Sequence, residues 1–245
     1  MKTILIPLMI STIAGFGTII GSLLAFVPNI NKKSTMSLIL AFSGSIMILI
    51  SVLDLLPSSV LTIMTHYSLI KGLFIVGLSF FLGVFLIHLI DKKIKGESSL
   101  YKIGILSLFS LMLHNFPEGI ATFMSSLYNP ALGLKLSIAI MCHNIPEGIC
   151  IAVPLSESTH SKKKGVGAAF LSSLAEPLGA LVAYIFLKNY INDITISIIL
   201  IFVAGIMITL SINTIYKESL KLDCKKSFLL GVLLSVVYII ITLKI

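Results

Sequence analysis

The chain has 245 residues, 57% of them hydrophobic and only 11% charged, with a mean hydropathy of +1.08. Apolar runs of about 20 residues, each long enough for about 30 Å of hydrocarbon, recur along it and exclude a soluble globular protein. The net charge of +8 comes from lysine alone, and the lysines fall between the runs, which points to membrane orientation and away from nucleic acid.

The pattern predicts an all-α polytopic membrane protein with eight transmembrane helices. The first span, about 3–27, opens on one lysine like a signal peptide, but it lacks a small-x-small cleavage site and runs on to Val27-Pro28. It carries Gly15-Phe16-Gly17 and Gly21, a strip suited to close helix packing. The second, about 36–56, ends in Asp54-Leu55-Leu56-Pro57, an acid one turn from the predicted terminus, and a connector with His66 covers 58–69. The third, about 70–90, has His88 near its end, and residues 91–102 form the most polar stretch. The fourth and fifth, about 103–127 and 132–154, are joined by a tight turn at Tyr128-Asn129-Pro130. A polar loop over Ser156–Lys164 leads to the sixth, about 165–187, which contains Ala175-Glu176-Pro177. A connector over Lys188–Asp193, a seventh span at about 195–215, a loop over Lys217–Lys226 and an eighth span at about 227–243 complete the chain.

Lysine distribution tests the number. The loops between spans 1–2, 3–4, 5–6 and 7–8 hold thirteen lysines; the termini, the other connectors and the adjoining span ends hold five. That bias places the first set in the cytoplasm and the N- and C-termini outside, a separation that an odd number of spans would scramble.

One six-residue phrase occurs twice. His114-Asn115-Phe116-Pro117-Glu118-Gly119 lies in span 4 and His143-Asn144-Ile145-Pro146-Glu147-Gly148 in span 5. On a helix, His at i and Glu at i+4 share a face, so each phrase projects an imidazole, an amide and a carboxylate to one side. Each proline frees the carbonyl four residues earlier, that of Leu113 or Cys142, and the glycine after each Glu lets a neighbouring helix approach. Antiparallel neighbours carrying one phrase each imply a local two-fold in the membrane plane, as in transporters with inverted repeats.

Asp54, Glu118, Glu147 and Glu176 are the acids inside spans, and no lysine lies among them. An isolated intramembrane carboxylate is commonly a hydrogen-bonding or relay group; several at one depth neutralise by proton uptake unless a cation compensates them. Imidazole with carboxylate suits zinc, ferrous iron, manganese, cobalt or cadmium, whereas calcium and magnesium prefer oxygen cages. Taken singly, each histidine reads as well as a core residue bonded to a carbonyl; the repeated phrase is what carries the metal reading. His66, His88 and His160 carry little weight, Cys142 and Cys150 read as packing residues, and Asp54 reads equally as a helix cap or as an ion-attracting entrance.

These residues resemble the ZIP (Zrt/Irt-like) family of divalent-metal transporters, in its bacterial ZupT-type branch. The resemblance runs through Ser45-Ile46-Met47 to Asp54-Leu55-Leu56-Pro57, both phrases, Leu174-Ala175-Glu176 and Val203-Ala204-Gly205-Ile206-Met207. It implies a single domain over 1–245 with a ZIP-like fold and a binuclear site between spans 4, 5 and 6. One metal would use His114, Glu118, His143 and Glu147; the second would use Asn115, Asn144, Glu147 and Glu176, with Glu147 bridging. It further implies sliding of spans 1, 4, 5 and 6 against the others, often in a homodimer. Two departures stand out: residues 91–102 contain no histidine, and Ile212-Asn213-Thr214-Ile215-Tyr216-Lys217 replaces an acidic, proline-bearing end of span 7.

The reading is a plasma-membrane importer of zinc, with ferrous iron, manganese, cobalt and cadmium as further ions its donors accept. It has no resident cofactor, and its partners are the metal ions and the bilayer. An intramembrane metalloenzyme with the same ligands is the first alternative; it needs a base or nucleophile in reach, and no His-Glu-x-x-His occurs. A proton-coupled carrier of an organic solute, with Glu118, Glu147 and Glu176 as relays, is the second.

Overall fold

The computed structural model describes residues 2–30, 32–94, 98–187 and 192–242. Among the described residues, eight helices long and apolar enough to cross a membrane follow one another: α1 Ile4–Phe26, α2 Lys33–His66, α3 Leu69–Lys93, α4 Ser99–Tyr128, α5 Pro130–Thr159, α6 Lys162–Phe186, α7 Asp193–Lys221 and α8 Lys225–Thr242. Among the described residues there is no strand. With eight crossings, the start of α1 and the end of α8 fall on one face, called here the terminal face.

The helices overrun the predicted spans because polar residues at their ends continue the helix instead of opening a loop. In α2 the expected end near residue 56 and the connector over 58–69 are both corrected, since the helix runs to His66. Pro57 has no N–H, and its ring would crowd the carbonyl four residues back. The chain answers with a wide turn over Ser51–Leu55, in which the N–H of Leu56 reaches back five residues to Ser51 O. Pro57 then lies in the first turn of Leu56–His66, where its missing donor costs nothing. Asp54 is therefore inside a continuous span, and the capping reading of it falls. The loop expected over Ser156–Lys164 shrinks to His160 and Ser161, with His160 at φ 50 closing α5. Likewise α7 continues to Lys221, so the loop expected from Lys217 starts at Leu222. The expected connector Lys188–Asp193 lies largely outside the described residues, as do residues 95–97 of the polar stretch.

The eight helices pack as two groups. α1, α4, α5 and α6 lie chiefly on one another; α2 packs with α7 and α8, and α3 with α7. Glycine sets the closeness within each group. A Cβ at Gly17 would strike Met141 O and one at Gly148 would strike Thr18 O, both between α1 and α5. Gly119 of α4 lies against Glu176 O of α6, Gly205 of α7 against Phe80 O of α3, and Gly231 of α8 against Leu38 O of α2. Small residues that bring backbones together are the usual means of helix association without a hydrophobic driving force. α4 sits at the centre and is mostly buried, whereas α3 and α8 are mostly exposed on the outside of the bundle.

Candidate metal centre

The short turn at Asn129, whose Oδ1 accepts from the N–H groups of Ala131 and Leu132, sets α4 and α5 side by side and antiparallel. The two phrases meet at mid-helix. His143 Nε2 lies 3.0 Å from Glu118 Oε1, and His114 Nε2 lies 3.2 Å from that same oxygen and 3.6 Å from Glu147 Oε1. One donor atom each from His114, Glu118 and His143 falls within 4.8 Å of the others, the spacing of ligands around one ion. Their geometry is that of convergent ligands more than of a hydrogen-bonded cluster: both His114 nitrogens, Glu118 Oε2 and both Glu147 oxygens are buried without a hydrogen-bond partner. Orphaned polar atoms of that kind cost about 1–3 kcal/mol each when nothing binds them.

Glu176 reaches the same place from α6. That helix breaks at Leu174, because Pro177 cannot donate to the Ser173 carbonyl, and it restarts with Glu176 in its first turn. Asn144 Nδ2 donates to Glu176 Oε1 at 2.5 Å and to Ala14 O of α1 at 3.3 Å. Its Oδ1, the other Glu176 oxygen and both side-chain polar atoms of Asn115 remain buried and unpartnered. The structure thus brings Asn144 and Glu176 into contact and leaves Asn115 and Glu147 with free donor atoms. The chemistry of this set, imidazole, carboxylate and amide oxygen, fits a divalent transition metal.

A cavity of about 260 Å³ leads from the terminal face to this cluster. Glu118 and His143 line it, together with Asp54, Ser58, Ile140 and Thr242. The wide turn in α2 is what carries Asp54 into the wall. A second cavity, about 410 Å³, opens on the opposite face between α3, α4 and α7 and contains His88, Asp91, Lys102, Asn213 and Glu218. Its acids are paired, Asp91 with Lys102 at 2.8 Å and Glu218 with Lys221 at 3.1 Å. Among the described residues no lysine pairs with Asp54, Glu118, Glu147 or Glu176.

The other candidates stay apart. His66 Nδ1 is 2.9 Å from Thr62 O, His88 Nδ1 is 2.8 Å from Val84 O, and His160 ends α5. The three cysteines are free; Cys150 is buried with its Sγ 3.4 Å from Ser107 Oγ. Two contributions went unread in the sequence. The Ala14 carbonyl orients Asn144, a backbone role with no residue signature. Tyr238 of α8 donates its hydroxyl to the Cys142 carbonyl, and its signal was a lone phenol within the last span.

Comparison with known proteins agrees with this geometry. The family profile described as ZIP Zinc transporter matches residues 95–240. The chain is 37% identical to the zinc transporter ZupT of Streptococcus mutans over 220 residues, 83% of each chain. It is 34% identical to the ZupT of Clostridium perfringens, over 90% of this chain and 89% of that one. The ZupT of Oceanobacillus iheyensis is 34% identical over 95% of both. With eight apolar spans and these relatives, the chain is a multi-pass plasma-membrane protein and a transporter, not an enzyme. It belongs to the ZIP family of zinc transporters.

Proposed function

We propose that residues 1–245 act as one transporter unit that imports divalent transition metals, zinc foremost, into the cytoplasm. The observation that carries this reading is the convergence of buried His114 and Glu118 with part-buried His143, without lysine counter-charge, at the foot of a cavity. Lysine bias supports an extracellular terminal face, so the cavity is the entry side. Asp54 draws the cation in, and Glu118 and His143 take it first, replacing water. His114 and Glu147 complete one site. Asn115, Asn144, Glu147 and Glu176 form the second, Glu147 bridging the two. Ferrous iron, manganese, cobalt and cadmium suit the same donors. Movement of the α1, α4, α5, α6 group against the other four helices then opens the ions to the cytoplasm.

Zinc uptake into proteoliposomes tests this reading. Glu118→Ala and Glu147→Ala are expected to abolish uptake while each protein still inserts. Normal uptake in both variants refutes the site, and solute uptake that survives a strong chelator would point to an organic cargo instead.

A further inference from the structure

The two helix groups share one apolar core, but their close glycine contacts and nearly all of their interhelical hydrogen bonds lie within each group. Every glycine that closely meets a neighbouring helix, among the described residues, does so within its own group. All but one of the interhelical side-chain hydrogen bonds among the described residues follow the same rule. Ser11 to Gly119 O, Ser137 to Ile10 O and Asn144 to Glu176 stay within the first group. Within the second, Ser37 and Ser219 each donate to the other's carbonyl, and Ser45 bonds the Tyr216 hydroxyl.

Among the described residues two polar links cross the boundary. One is the Lys102–Asp91 ion pair, part-exposed at the helix ends, where such pairs contribute little. The other is part-buried between α8 and α5: the Tyr238 hydroxyl donates to the Cys142 carbonyl. That carbonyl is free because Pro146, four residues on, has no N–H to give it. The Tyr238 ring is held in turn by an edge-to-face contact with Phe42 of α2, centroids 5.7 Å apart. Cys142 immediately precedes His143, and Ile239, next to Tyr238, lines the cavity.

We propose that Tyr238 is the latch between the two helix groups, a positioning residue that fixes the ligand-bearing phrase of α5 against α8 and α2. The inference rests on the reading of α5 as a metal-carrying helix in a transporter. Relative motion of the groups breaks this bond, and cavity water takes over the Cys142 carbonyl. The proline of the second phrase therefore does more than shape the helix: it leaves an acceptor that, in this arrangement, the other group satisfies.

Two measurements on the full chain test the latch. The first is a double-mutant cycle of unfolding equilibria in mixed micelles. Tyr238→Phe keeps the ring and removes the hydroxyl, and it should lower the folding constant roughly two- to tenfold, the net worth of one hydrogen bond. In a Pro146→Ala background the backbone supplies its own donor, and the same substitution should change little. An equal loss in both backgrounds overturns the assignment. The second is zinc transport in proteoliposomes. Because the bond is present in this arrangement and broken in passage, Tyr238→Phe should raise kcat roughly two- to tenfold while the equilibrium zinc Kd stays at the wild-type value. Wild-type turnover in the variant overturns the latch. Failure of the wild-type protein to bind zinc would strike the metal-site reading instead, and the unfolding cycle does not depend on it.

Discussion

Glu118→Gln separates a metal site from a merely polar core. Glu118 Oε1 stands 3.0 Å from His143 Nε2 and 3.2 Å from His114 Nε2, and its Oε2 is buried without a partner. The amide keeps the volume and removes the charge. Without metal it should not destabilise the protein, because the amide oxygen can still accept from His143 Nε2 while the cost of desolvating a buried carboxylate is removed. With metal the ranking reverses. At zinc equal to 100 Kd the wild type gains about 2.7 kcal/mol by mass action. Loss of a direct ligand should weaken binding by about 100-fold or more, beyond what a supporting group is worth. At the same zinc concentration the variant then sits near its own Kd and gains only about 0.4 kcal/mol by the same relation. At about 2–4 °C per kcal/mol for a chain of this size, zinc should raise the wild-type Tm by roughly 5–10 °C and that of the variant by at most about 2 °C. Thermal unfolding in detergent with and without zinc reads both halves. A variant with the full wild-type upshift would mean that Glu118 does not hold the ion.

Four further outcomes follow from the same geometry. Zinc affinity should fall as pH falls, because protons compete for the imidazole and carboxylate donors that the metal needs unprotonated; titrations across mildly acid and neutral pH check the sign. Gly148→Ala puts a Cβ against the Thr18 carbonyl, a backbone atom that cannot swing aside, and should cost about 1–3 kcal/mol, read as a lower Tm. Gly77→Ala, with nothing within 4 Å, should stabilise slightly through helix propensity. Asp54→Asn should raise KM more than it lowers kcat, since Asp54 lines the approach to the cluster, and the effect should shrink at high salt.

How much of this was legible in the sequence depends on what each feature rests on. The eight spans follow from local composition, and the paired phrases declared both their residues and their shared face. Their meeting needed only a short turn. Helix ends were misjudged because polar side chains at a span end are tolerated inside the helix, as α2 running through Asp54 and Pro57 demonstrates. Pro57 does announce a disturbance in α2, but not whether the helix stops or widens by one residue; α7 widens over Ser211–Tyr216 with no proline at all. The freed carbonyl of Cys142 could be deduced from Pro146, yet its partner lies 96 residues away in a helix with no matching motif. Pairings at that separation are set by how the two helix groups pack against each other, and no local pattern encodes them.

Two phrases with the same polar residues do not make two identical half-sites, because their surroundings differ. His143 keeps 14% of its side chain exposed and Glu118 keeps 7%, both in the cavity wall, whereas His114 and Glu147 are wholly enclosed. Asn144 is pinned by α1 and α6, while the same residue in the other phrase, Asn115, has no partner. The near-symmetry of the sequence is thus broken by packing into an outer pair and an inner pair, which gives the ion an order of encounter. Diethyl pyrocarbonate should therefore modify His143 readily and His114 far more slowly, and zinc should protect His143. Peptide mapping by mass spectrometry separates both from the exposed His66 and His160. Equal reactivity at His114 and His143 would mean that the cavity reaches both phrases alike, and the order of ligand exchange drawn from it would fail.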